Sequence, residues 1–171
     1  MKMKRSLILI LLFIVATSAV EAQSHRAGNL FATAGIGLAH YGYHTVGPKA
    51  SIGLPLTLNV DYGLMDYVSL GGYFGVLFKD RSSAVGFGGR GSFHFWQMIN
   101  DLATVDLMGD TFDIYASIYS GGEVSGRYTD RFRIGGILGG RYFFSQNIAV
   151  TAEFGGPMSY FMAGVSFKLL D

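Results

Sequence analysis

The chain has no cysteine, which excludes a disulfide, a thiolate metal site and a lipidated N-terminal cysteine. With only three prolines it has no Pro/Ser-rich linker to mark a second domain. Past residue 22 no apolar run approaches the length of a membrane-spanning helix. Charge is scarce and balanced: 13 Lys and Arg against 12 Asp and Glu leave a formal +1, no footprint for nucleic acid. What the chain does have is 50% hydrophobic residues, 15% aromatics and 25 glycines. So much Gly argues against a helical bundle, because Gly is costly in a helix interior. High apolar content without a long run fits membrane-spanning strands, in which lipid-facing and interior residues alternate.

The first residues carry Lys2, Lys4 and Arg5, then the apolar run Leu7–Val15, then small residues ending Ala19-Val20-Glu21-Ala22. A basic start, a short apolar core and a small-residue cleavage site make residues 1–22 an export signal, too short to span a membrane. Residues 23–171 then form one domain, and losing Lys2, Lys4, Arg5 and Glu21 takes the formal charge from +1 to −1.

Alternation with a period of two runs through that domain. In Val68–Phe78, Val68, Leu70, Phe74, Val76 and Phe78 share one face, and Ser69, Gly71, Tyr73 and Gly75 the other. The pattern predicts eight strands, near Asn29–Tyr41, Pro55–Leu64, Tyr67–Phe78, Ala84–Trp96, Thr111–Glu123, Phe132–Phe144, Ile148–Gly155 and Tyr160–Leu169. An even number of strands about ten residues long meets the requirement of an all-β, eight-stranded antiparallel up-and-down transmembrane β-barrel. Met65–Asp66 and Ser145–Asn147 are short turns. Gln97–Asp110 is too long for one and has room for a short amphipathic helix.

Parity assigns the interior. Asp61, Asp113, Glu123, Glu153, Arg90, Arg133, Arg141 and Lys168 all fall on the less apolar face, four of each sign. Ile137 is an exception, an apolar residue on that face. An eight-stranded barrel has just enough interior for side chains to fill it. The expectation is a charge-balanced plug without a continuous pore, with Arg141 paired to Glu153 across the Ser145–Asn147 turn and His94 facing Asp113. Tyr62, Tyr67, Phe95, Trp96, Phe112, Tyr142 and Phe144 gather at one set of strand ends, and Tyr41, Phe78, Phe132, Tyr160 and Phe161 at the other. Such aromatic girdles mark the two membrane interfaces.

Three patterns suggest chemistry. Gly86-Phe87-Gly88-Gly89-Arg90-Gly91 matches a dinucleotide-binding glycine pattern, but a strand rather than a helix follows it, so a packed wall is the better reading. Ser92, His94 and Asp113 contain the residue types of a hydrolase triad. The competing reading, which we prefer, is a His–Asp pair inside the plug. His40 and His44 could touch a metal, although loop aromatics at a rim account for that stretch more simply.

Tyr62-Gly63-Leu64-Met65-Asp66, Gly89-Arg90-Gly91-Ser92-Phe93-His94-Phe95, Phe112-Asp113-Ile114-Tyr115-Ala116, Gly140-Arg141-Tyr142-Phe143-Phe144 and Gly164-Val165-Ser166-Phe167-Lys168-Leu169 carry a wider likeness. With the eight alternating segments, they resemble the small eight-stranded outer-membrane β-barrel family of Gram-negative bacteria, of the OmpA/OmpX kind. The resemblance covers essentially the whole of 23–171. It implies residence in the cell outer membrane with both termini periplasmic, outer-membrane lipid and the outer-membrane assembly machinery as partners, and no cofactor. The machinery reads a last strand that commonly ends in an aromatic, whereas this chain ends Leu169-Leu170-Asp171 after Phe167. A non-enzymatic structural or surface-interaction role is expected, without catalytic, cofactor-binding or metal residues. The alternatives are a lipid-modifying hydrolase built on Ser92 and His94, and passage of small solutes or apolar compounds.

Overall fold

In the computed structural model, which describes residues 25–38, 54–79, 82–103, 111–125 and 131–170, the alternating segments form consecutive antiparallel strands. They are β1 (Leu30–Leu38), β2 (Leu54–Met65), β3 (Val68–Lys79), β4 (Ser82–Phe93), β5 (Phe112–Ser125), β6 (Arg131–Ser145), β7 (Ile148–Phe154) and β8 (Phe161–Leu170). Each pairs with its neighbour in sequence. β8 returns to β1, from Leu30 opposite Leu170 to Leu38 opposite Phe161, and closes the barrel. Closure pairs each strand on both sides over most of its length and so removes the open edges of a flat sheet, although β6 from Arg131 to Ile137 runs on past the end of β7. The expected leader at 1–22 and the His40/His44 pair lie outside the described residues.

The two faces are inverted relative to a water-soluble barrel. Leu58, Val60, Leu70, Phe74, Phe87, Ile118, Leu138, Val150 and Phe167 are exposed, while Asp61, Arg90, Asp113, Arg141, Glu153 and Lys168 are buried. Ile137 points inward with Tyr73 and Tyr119, as its parity required. Exposed rings stand at both rims: Tyr62 and Phe144 at the end bearing the chain termini, Phe78, Phe132 and Tyr160 at the far end.

The fourth strand is shorter than its pattern suggested. It stops at Phe93, and Phe95 and Trp96 belong to a helix, α1 (Phe95–Ala103). His94 N–H donates to the Tyr67 carbonyl at 2.8 Å as the ladder ends. Gln97 and Asn100, three apart, then set a helical period in place of the strand period. At the same end, Gly28 takes φ +91°, a conformation that favours glycine, and donates its N–H to Gly63 O at 2.8 Å. The segment before β1 is thereby turned across the barrel mouth.

Candidate functional site

The centre of the barrel holds a connected set of charges drawn from five strands. Arg141 extends from β6, and its Nη2 meets Asp61 Oδ2 on β2 at 3.0 Å while Nη1 meets Asp113 Oδ2 on β5 at 3.1 Å. Arg90 on β4 meets Asp61 Oδ1 through Nε at 3.1 Å and Glu153 Oε1 on β7 through Nη1 at 2.9 Å. The Tyr115 hydroxyl donates to that same Glu153 oxygen at 2.6 Å. The Arg141 guanidinium also lies 4.7 Å from the ring centres of both Phe31 and Tyr115. Charges this deep are stable only when paired, and each arginine here bridges two carboxylates, Arg90 meeting Asp61 as an ion pair without hydrogen-bond geometry.

The expected Arg141–Glu153 pair is not formed. The register sets Thr151 opposite Arg141 and Gly139 opposite Glu153, so the two lie diagonally. A Cβ on Gly139 would collide with the Tyr115 ring, which occupies the space over that residue. Glu153 takes Tyr115 and Arg90, and Arg141 reaches across the lumen to β2. Sequence neighbours lost to a cross-barrel partner.

Nearer the mouth, His94 Nδ1 lies 2.7 Å from Asp113 Oδ1, the expected pair. Facing a carboxylate, Nδ1 carries the proton. The serine beside His94 is not Ser92, however. Ser92 accepts from Ser117 Oγ at 2.7 Å, whereas His94 Nε2 lies 3.0 Å from Ser69 Oγ. β3 and β4 set Ser69 opposite Ser92, and His94, just beyond the ladder, leans its ring toward β3. Ser69–His94–Asp113 has the connectivity of a hydrolase triad. Yet Ser69 is only 1% exposed, and His25 stacks on His94 with ring centres 3.6 Å apart and planes 5° from parallel. The hydroxyl is thus packed away beneath the paired imidazoles.

His25 is the residue that sequence reasoning did not find. It precedes β1, so no strand parity pointed to it, yet it is wholly buried in the mouth. Its Nε2–H donates to the Met65 carbonyl at 3.1 Å, and Nδ1 has no partner among the described residues. Burial, then the neighbouring His94, holds its pKa down from the usual 6.5 to about 4, while Asp113 opposes and Arg141 adds to the fall. The docked imidazole is therefore neutral. Docking is fully favoured above 6.5 and weakens as pH falls toward 4, because the released form takes up a proton that the docked form resists. In detergent micelles, the His25 ring resonance should titrate near 4, and amides 26–29 should lose protection relative to their intrinsic exchange rates over that interval. A midpoint near the usual 6.5 would show that the ring is not docked.

The far end is filled differently. There Arg133 donates to Glu123 at 2.7 Å, whereas the hydroxyl contacts of 2.6 Å that link Thr33, Ser166 and Thr151 lie level with Arg141 at mid-barrel. Met158, from the β7–β8 connection, inserts beside Leu77 and Ala84. Inward Gly75 and Gly86 make its room, since a Cβ on either would strike it. As with His25, its place outside the strands hid it from the alternation pattern.

The outer wall bears a groove of about 520 Å³ over β5–β7, lined by Phe112, Leu138, Gly140, Tyr142, Val150 and Phe154. Behind it the β6–β7 ladder runs from Leu138–Phe154 to Ser145–Ile148, so the groove is no lateral opening. Gly86–Gly91 lies wholly within β4, as part of the barrel wall. Among the described residues no group of three His, Asp or Glu is placed to hold a metal.

No family model matches the chain, and no curated protein matches it. Solved structures do. The outer membrane protein OprG of Pseudomonas aeruginosa superposes with a TM-score of 0.56 at 10% identity, over 88% of this chain and 99% of its own. The N-terminal β-barrel domain of OprF from the same species gives 0.51 at 15% identity, over 84% and 98%. Ail, the attachment invasion locus protein of Yersinia pestis, gives 0.50 at 12% identity, over 84% and 99%. The fold is that of the small outer-membrane β-barrels. At these identities the likeness lies in backbone architecture, and the charge set and mouth of this barrel are described by its own residues.

Proposed function

We propose that this barrel is a non-enzymatic integral protein of the outer membrane, a closed anchor whose outer loops are its working surface. The observation that carries the reading is the filled interior: His25 and His94 at one mouth, the Arg141–Asp61–Arg90–Glu153 set at the centre, Met158 at the other. Such an interior leaves no water column of the kind that makes a porin. The turns support an orientation with periplasmic termini. Asp66–Tyr67 and Gln146–Asn147 are two-residue turns at the terminus-bearing end and 39–53 and 126–130 longer connections at the opposite end, while 94–111, which holds α1, and the short 80–81 depart from that asymmetry. The same fold carries a protein named for attachment and invasion in Yersinia pestis, which suits a role in surface contact.

The mature protein is expected to fractionate with the outer membrane and to migrate differently on detergent gels before and after boiling. In planar bilayers it should form no large, steady pores. Equal mobility together with recovery in the soluble periplasm would remove the membrane reading, and steady conductance would remove the filled one.

A further inference from the structure

The helix α1 is amphipathic in the reverse sense to a helix packed on a water-soluble domain. Around its axis Gln97, Asn100 and Asp101 occupy one arc, and Phe95, Met98, Ile99 and Leu102 the opposite one. The polar arc is the one turned to the protein. Gln97 and Asn100 are buried, and Gln97 Nε2 donates to Asp101 Oδ1 at 3.0 Å. Asp101 Oδ2 accepts from the Tyr67 hydroxyl at 2.9 Å and from Arg26 at 3.3 Å. The apolar arc is left open, with Ile99 40% and Leu102 75% exposed.

In water that arrangement would lose twice, since it desolvates amides and leaves large aliphatic groups exposed. It is economical only if the open side does not face water. Continuity supplies what covers it. α1 begins two residues after Phe93, the last outward residue of β4, and so leaves the wall where the lipid-facing band ends. Rings gather at the same end: exposed Tyr62, and Phe112 against Tyr142 with centres 5.0 Å apart.

We propose that α1 lies in the membrane interface at the terminus-bearing end, with Phe95, Ile99 and Leu102 resting on the acyl chains of the adjacent leaflet. The inference rests on the membrane reading above. The helix has no Lys or Arg, and its one acid is held by Tyr67 and Arg26, so the contact is with lipid chains rather than anionic headgroups. It has a double consequence. The apolar side fixes the depth of the barrel, and Asp101 on the polar side ties the N-terminal segment, through Arg26, to an element held by the bilayer.

A chain without cysteine allows a direct test. Single variants Ile99→Cys and Leu102→Cys, spin-labelled and folded into phosphatidylcholine vesicles at less than one barrel per vesicle, report collisions with oxygen and with a water-soluble nickel chelate. Phe93→Cys, outward on β4, is the lipid reference, and exposed Ala27→Cys the water reference. Each is used only if its gel mobility still shifts on boiling. The labels at 99 and 102 are expected to prefer oxygen over nickel several-fold, as at 93, in neutral lipid alone. Nickel preference at 99 and 102 with oxygen preference at 93 would overturn the helix placement and leave the membrane reading intact. Nickel preference at 93 as well would overturn the membrane reading itself. Labels at 99 and 102 that neither reagent reaches would mean protein covers the helix, which also overturns the lipid contact.

Discussion

Arg141→Met is expected to destabilise the folded barrel by about 3–5 kcal/mol, the cost of leaving buried carboxylates under-compensated, Asp61 with Arg90 alone and Asp113 with His94 alone. Arg141 holds two of them, Asp61 Oδ2 at 3.0 Å and Asp113 Oδ2 at 3.1 Å, from strands on different sides of the lumen. Its loss also removes the cation from between the Phe31 and Tyr115 rings. Neutralising both acids as Asp61→Asn and Asp113→Asn in the same chain should recover part of the loss, because it removes the surplus negative charge but also takes a carboxylate from Arg90 and the partner of His94. Glu153→Gln should recover less, since Glu153 pairs with Arg90 and Tyr115 and acts on Asp61 only through the Arg90 they share. Urea unfolding in lipid vesicles, followed by the fluorescence of Trp96, the sole tryptophan, measures each variant. Rescue by Glu153→Gln greater than that by the two Asn changes, or a single variant as stable as the parent, would refute the assignment.

The second large effect separates two adjacent glycines. Gly139 faces the lumen, where a Cβ would run into the Tyr115 ring. A Cβ on Gly140 would have as its nearest neighbour the Asp113 carbonyl at 3.9 Å. Gly139→Val should therefore cost about 1–3 kcal/mol from overpacking, and more if the displaced tyrosine loses its bond to Glu153. Gly140→Val, on the lipid side, should be nearly silent. Tyr115→Ala should partly rescue Gly139→Val by vacating the space. The same unfolding experiment decides it. Equal effects at the two positions would mean the faces of β6 have been misassigned.

The strands and their faces were legible because the environment imposes them on each residue separately. Lipid outside and a polar lumen inside demand a period of two, so Leu70 and Ser69, or Val150 and Thr151, declare their sides without knowledge of any partner. Even Ile137, which broke the pattern, obeyed its parity and packed inward on Tyr73 and Tyr119. The His94–Asp113 contact was legible too, since both residues flank one connection on one face.

Partner choice in the lumen belonged to the tertiary structure. Arg141 has Glu153 close by in sequence, yet pairs with Asp61, eighty residues away, because closure brings β2 within reach of a long side chain across a narrow barrel. Ser69 displaced Ser92 beside His94 because a ring just past the end of β4 turns toward β3. His25 and Met158 lie outside the strands and followed no period, and only the closed barrel shows them filling its two ends. Alternation determined which residues face inward. The register of the closed sheet and the reach of each side chain decided which of them meet.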